Sequence, residues 1–250
     1  FGTIYSCYPM NHHNLKNTIP FLPWMIHANY EGSPLDFSEM NYKTLAKNIQ
    51  SKNTINLSVI CSNKTNTENH ELRIEFLKVL KNHFGKKLEW YGAGFKDIES
   101  KSKIIINSKY HLVLENDSKN NLISEKLFDA FLGESFPIYF GAPNVSEYFH
   151  QDSFKSIDIN NIEESIKTIE EILESNIYIE NIKQIRDSKR KVLNEYNFIN
   201  RIAEIVLDKY KTTEATDFIT ELYSSEYFWK TLIPFKTKLK RTIKRKLRLG

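Results

Sequence analysis

Hydrophobic and polar positions follow no steady period from Phe1 to about Asn53, where Pro9, Pro20, Pro23 and Pro34 interrupt the chain. Residues 20–27 read as an extended apolar segment entering a core, and the stretch up to Ser51 as a connection between lobes. From Thr54 the pattern becomes regular. Ile55, Leu57, Val59 and Cys61 alternate with Asn56 and Ser58, the period-two signature of a strand. Leu72, Phe76, Leu77, Leu80 and Phe84 then recur at helical spacing, with Gly85 as the stop. A short strand over 88–91 runs into Gly92-Ala93-Gly94, and a strand over 111–115 runs into a polar loop over 116–121. Ser124 caps a helix whose buried stripe is Leu127, Phe128, Phe131 and Leu132 and whose end is Gly133. Strands over 136–140 and 156–159 follow, the first leading into Gly141-Ala142-Pro143, and helices over 162–173, 179–193 and 198–210 close the regular part.

Strands alternating with helices predict an α/β fold: a parallel sheet with helices on both faces, followed by a helical C-terminal region. Such sheets bind ligands beyond the carboxyl ends of their strands, so the loops opening at Ser62, Gly92, Asn116 and Gly141 are where chemistry is expected. The chain divides into 1–53, 54–160, 161–231 and 232–250.

Composition narrows the class. With 250 residues, 40% hydrophobic and 26% charged, the chain has the balance of an ordinary globular protein. Cys7 and Cys61 are its two cysteines, which excludes a disulfide framework and a Cys-rich zinc site and suits a reducing cytoplasm. No apolar run is long enough for a transmembrane helix. The chain opens on Phe1 without a signal-peptide pattern and reads as a fragment with something expected upstream. The net charge of +4 is uneven: Lys236, Lys238, Lys240, Arg241, Lys244, Arg245, Lys246 and Arg248 bring +8 with no acid among them, leaving the rest at −4.

Candidate chemistry concentrates between Tyr110 and Ala130. A strand delivers Glu115 and Asn116 to the rim, and a helix begins after Ser124 with Glu125 and Lys126 in its first turn. Free N–H groups and the positive end of the helix dipole make that terminus an anion site. Lys126 adds a full charge, and Glu125 can accept two hydroxyl hydrogen bonds, as a ribose diol offers. A capped helix with solvated charges is the alternative. Arg73 can reach a phosphate bidentately or pair at the surface with Glu71 or Glu75. His12-His13 lacks ligand companions, and His70 and His83 read as solvated on a charged helix face. Neither a GxxxxGK[ST] loop, a G-x-S-x-G elbow nor an Asp-x-Asp motif occurs.

The segment from Tyr110 to Asn144 resembles the donor-binding signature of the α-1,3-fucosyltransferases, glycosyltransferase family 10. Leu114-Glu115-Asn116-Asp117-Ser118, Leu122-Ile123-Ser124-Glu125-Lys126 and Pro137-Ile138-Tyr139-Phe140-Gly141 follow one another in the family's order. Upstream, Ser62-Asn63 resembles the family's Ser-Asn turn and Arg73 its phosphate-binding arginine. Leu122 stands where the family usually has Tyr, Ser124 replaces Thr, and the stretch from Ser62 to Arg73 is longer than usual. The resemblance implies a GT-B architecture of two Rossmann-like lobes and inverting transfer of L-fucose from GDP-fucose to a glycan hydroxyl, most simply in α-1,3 linkage. It implies donor contacts from Ser62, Asn63, Arg73, Asn116, Ser124, Glu125 and Lys126, no metal or other cofactor, and a catalytic glutamate expected upstream of Phe1. Two alternatives stay open: a related transferase using another nucleotide sugar, and a non-catalytic, basic-tailed adaptor for membrane or nucleic acid.

The tail adds a partner. Leu232, Phe235, Leu239, Ile243 and Leu247 line one face of a helix, with the cations on the rest. Such a helix suits an anionic membrane surface better than a nucleic acid, since Phe235 alone offers base stacking. A cytoplasmic protein held at the inner face of the membrane is the expectation, with no nucleic acid as partner.

Overall fold

The computed structural model describes residues 3–8, 14–20, 24–26, 42–49 and 54–212. The predicted amphipathic tail over 232–250 lies outside the described residues. A first compact unit spans Phe1–Ile205 and a second Val206–Gly250.

The N-terminal stretch, read as irregular, contains β1 (Ile4–Ser6) paired in parallel with β2 (Leu15–Asn17), and a one-turn helix α1 (Tyr42–Leu45). Three-residue strands carry too little alternation to stand out in a sequence. Ile19 and Ile26 are fully buried, consistent with an apolar segment entering a core.

The main sheet is five-stranded, entirely parallel and ordered β4-β3-β5-β6-β7, from β3 (Ile55–Ile60), β4 (Leu88–Tyr91), β5 (Ser108–Leu114), β6 (Phe136–Phe140) and β7 (Lys155–Ser156). The chain steps from β3 to β4 through α2 (Glu68–Phe84), then crosses back to β5 through α3 (Lys101–Ile105), and reaches β6 through α4 (Glu125–Leu132). Right-handed crossovers put α2 on one face and α3 and α4 on the other. Beyond the sheet come α5 (Ile162–Glu174), α6 (Ile177–Glu180), α7 (Ile182–Asn194) and α8 (Phe198–Thr212). His83 of α2 meets Glu170 of α5 at 2.8 Å, so α5 joins α2 on its face, while α7 packs on α4.

Both faces are covered, so the polar positions within strands must be satisfied internally. Ser58 is completely buried; its Oγ lies 2.7 Å from both Ser108 Oγ and His111 Nδ1 across the register-paired strands β3 and β5. Burial holds the His111 imidazole neutral, its pKa pushed down to about 3.

Several boundaries differ from expectation. α2 begins four residues before Leu72, because Thr67 caps it by accepting from the His70 N–H at 3.2 Å. The helix expected over 179–193 is two, α6 and α7, broken at Asn181. The last strand is β7, at Lys155–Ser156 rather than 156–159. α3 had no signal in the sequence; it is held at its start by Ser100, whose Oγ accepts from the Ser102 N–H at 3.3 Å.

Candidate functional site

The strand order reverses between β3 and β5: the chain leaves β3 toward β4 on one side and later builds β5 on the other. The crevice beyond the carboxyl ends of β3 and β5 is therefore the topological switch point, where open parallel sheets bind ligands. Cys61, Ser62 and Asn63 follow β3, and Glu115 and Asn116 follow β5.

The β3 loop is interlocked with the β4 loop. Cys61 N–H donates to Tyr91 O at 2.9 Å and Asn63 N–H to Ala93 O at 3.0 Å. Gly92 has φ +128, and a Cβ there would sit 2.6 Å from Cys61 O, so only glycine lets the two loops close on each other. Ser62 is half-buried and Asn63 exposed along this edge.

Arg73 is neither of the surface pairs considered for it. Its side chain is buried, with Nη1 donating to Leu114 O at 3.1 Å, so α2 delivers a guanidinium to the end of β5. Its Nε is buried without a partner. Glu75 instead pairs with Lys78 at 2.8 Å.

Glu115, read as reaching the rim, turns inward. It is 1% exposed and accepts from Ser124 N–H at 2.7 Å and Ser124 Oγ at 2.5 Å. Burial pushes its carboxyl above the ordinary range, against the pull of Lys126 and of the Ser124 bonds. Gly141 is needed beside it, since a Cβ there would lie 2.5 Å from Glu115 Cγ and collide with the Tyr139 hydroxyl. Glu115 thus pins the residue that caps α4: Ser124 Oγ also accepts from Lys126 N–H at 3.3 Å.

Lys126 Nζ lies 3.1 Å from Ser124 Oγ, 3.4 Å from Glu125 Oε1 and 3.6 Å from Glu115 Oε2, held at the helix N-terminus and still about a quarter exposed. Burial by itself would raise the Glu125 carboxyl, but Lys126 and Lys101 bring it below its ordinary value, keeping it an acceptor. The loop before α4 is locked by a reciprocal amide pair, Asn121 N–H to Asn144 Oδ1 and Asn144 Nδ2 to Asn121 Oδ1, both 2.8 Å. Asn116 stands exposed at its start and Leu122 half-buried near its end.

Arg73, Ser124, Glu125 and Lys126 are thus brought together around the ends of β3 and β5. Cys61 sits among them: burial raises its thiol while Arg73 and Lys126 pull it down. Ser62, Asn63 and Asn116 lie on the surrounding loops. Two further groups escaped the sequence. Asp129, one turn beyond Glu125, is buried, accepts from Met25 N–H at 2.7 Å and faces Lys101 Nζ at 3.5 Å; burial pushes its pKa up to about 7. It lines a cavity of about 80 Å³ with His111, Lys101, Glu125 and Lys126. His70, read as solvated, has its Nδ1 buried without a partner. Only the i, i+3 spacing of His70 and Arg73 hinted at this. Among the described residues there is no group of three or more His, Cys, Asp or Glu placed to hold a metal ion.

The family model of the C-terminal part of glycosyltransferase family 10 (fucosyltransferase) matches residues 49–180, more than half of the chain. The chain belongs to this family. An α-(1,3)-fucosyltransferase, FucT, of Helicobacter pylori is 31% identical over 74 residues, 29% of this chain and 16% of that protein. A crystal structure of an α1,3-fucosyltransferase superposes with a TM-score of 0.54 at 17% identity, covering 86% of this chain and 68% of that one, and shares the fold. A second, with GDP-fucose, is similar at a TM-score of 0.45 and 20% identity over 66% of this chain and 57% of that one. The chain thus spans about a sixth of the curated relative and little more than half of the GDP-fucose-bound structure. The parallel sheet with helices on both faces is the Rossmann-like lobe expected of a GT-B family 10 transferase.

Proposed function

We propose that this chain carries the donor lobe of an inverting fucosyltransferase, which moves L-fucose from GDP-fucose to a hydroxyl of a glycan, in α-1,3 linkage. The observation that carries this reading is the buried Arg73 guanidinium at the end of β5 and Lys126 at the N-terminus of α4, both at the switch point of the sheet and both acting on the Cys61 thiol between them. In an inverting displacement the sugar develops oxocarbenium character while negative charge gathers on the departing diphosphate. Two fixed cations and the α4 dipole lie where that charge grows, and each such preorganised donor is typically worth ~2.7–4 kcal/mol in the barrier. Arg73 and Lys126 thereby neutralise the leaving group without a divalent ion. Glu125, kept ionised by Lys126 and Lys101, suits a ribose diol, and Ser62, Asn63, Asn116 and Ser124 complete the rim.

A related transferase with another nucleotide sugar is the second reading, favoured by one residue: Leu122 presents an aliphatic chain where the family usually has Tyr.

We place the protein at the cytoplasmic face of an anionic membrane through residues 232–250, on the sequence argument alone. Calorimetry of GDP in EDTA tests the site: binding with micromolar or tighter affinity supports it, and loss of all binding on chelation overturns the metal-free reading. Turnover across a panel of nucleotide sugars separates the two donors.

A further inference from the structure

The first turn of α2 carries a group that the donor reading does not use. His70 sits three residues before Arg73 on the same side of the helix. Its backbone N–H is spent on the Thr67 cap, leaving the ring as its only free hydrogen-bonding group. His70 Nδ1 and Arg73 Nε are both buried and both lack a partner, two polar orphans one helical turn apart. Arg73 is 7% exposed, and an unpaired buried donor of that kind is costly unless something arrives to meet it.

Among the described residues, the charges bearing on the His70 ring are all positive: Arg73 from its own helix, Lys126 from α4 and Lys64 from the loop after β3. Burial first, and these cations after it, hold the imidazole below its ordinary pKa. A neutral histidine set among three cations is the arrangement a dianion would recharge.

We propose that His70 is a third contact to the donor diphosphate, taking a proton from solvent as the donor binds and donating from Nδ1 to a phosphate oxygen beside Arg73. No covalent bond changes; one proton moves from bulk water to the imidazole and returns when the diphosphate leaves. The inference rests on the proposed donor site. Its sign follows from linkage: an anion that raises the imidazole pKa binds more tightly as pH falls, down to the pKa of the empty site.

The test uses GDP-fucose, whose diphosphate has no ionisation of its own near neutrality. Titrations near pH 6, 7 and 8, in buffers of different ionisation heat, read affinity and proton uptake together. The wild type is expected to bind more tightly toward pH 6, by up to ~10-fold per pH unit, the one-proton limit, and to take up a fraction of a proton. His70→Gln is expected to bind more weakly near pH 6 and to lose both the slope and the uptake. His70→Arg, permanently charged, should recover affinity with no slope. If His70→Gln matches the wild type in affinity and slope, the inference is overturned while the donor site stands. Failure of the wild type to bind GDP-fucose at any pH overturns both.

Discussion

Lys126 and Asp129 occupy one helix three residues apart yet do opposite work. Lys126 Nζ reaches the crevice, whereas Glu115, its buried counterion, keeps two Ser124 hydrogen bonds whether or not the lysine is there. Lys126→Ala should therefore weaken GDP binding by about 10- to 150-fold, the worth of one charge-assisted hydrogen bond at roughly 1.5–3 kcal/mol, with only a small shift in melting temperature. Calorimetry beside a thermal melt checks both halves. Asp129 acts inward, and its burial makes it a pH-dependent element of stability. Its pKa rises to about 7 from an ordinary 3.8, so the folded state binds the extra proton and stability falls as pH climbs between those values. His111, pushed down to about 3 from 6.5, does the reverse: the unfolded state binds the extra proton and stability rises with pH. The two offset each other between about pH 4 and 6.5. Asp129→Asn removes the falling contribution, so its unfolding free energy should climb more steeply with pH than that of the wild type, by at most ~1.4 kcal/mol per pH unit. Parallel urea titrations at several pH values would refute this if the two profiles have the same slope.

Helix α4 is the element on which the molecule converges. Its N-terminus builds the candidate site, and two buried carboxylates, one within it and one just past its end, fasten the N-terminal stretch. Asp129 holds Met25, and Glu134, just past its end, accepts from Ile49 N–H at 2.9 Å, Lys189 Nζ at 2.7 Å and Arg186 Nε at 2.9 Å. Lys189 donates onward to Lys47 O at 2.8 Å, and burial depresses its ammonium in spite of Glu134. Removing one partner of such a buried pair leaves the other charge uncompensated. Glu134→Gln should cost about 3–5 kcal/mol in chemical denaturation, and adding Lys189→Met should recover much of that loss. Equal stability of the single variant and the wild type would show that the node is not a staple. The Gly133 stop also has a local cause the sequence concealed. Gly133 is not in a left-handed conformation; Glu134 is, at φ 55. Gly133 is there because a Cβ would lie 2.5 Å from Ile105 Cγ2 of α3. The stop was legible as a glycine, whereas its reason belongs to the packing of α3 on α4.

At the scale of the whole molecule, charge is divided between a chain body of net −4 and the +8 of the last fifteen residues. Each basic residue near an anionic surface contributes about 1 kcal/mol, falling with salt. A chain shortened after Pro234 should lose co-sedimentation with anionic vesicles while keeping its GDP affinity. Equal sedimentation of the full and shortened chains would refute the anchor.

What the sequence determined by itself was every element whose signal is local: the β3, α4 and β6 segments, with Ser124 as cap and Glu125 and Lys126 in the first turn of a helix. Period, cap and stop are written in neighbouring residues, and the order of those motifs was enough to resemble glycosyltransferase family 10. The short elements β1, β2 and α3 were invisible because so few positions, without flanking turn or glycine signals, carry no period. Tertiary structure alone decided which charges meet. Arg73 leaves the surface only because β5 lies beside β3, so that Leu114 O is within its reach. Glu115 turns inward only because Gly141, on the neighbouring strand end, leaves room for it. Asp129 finds Met25 across 104 positions of chain. Local sequence sets what each segment can form, but burial and charge pairing depend on distances through space, and those exist only once the strands have taken their order.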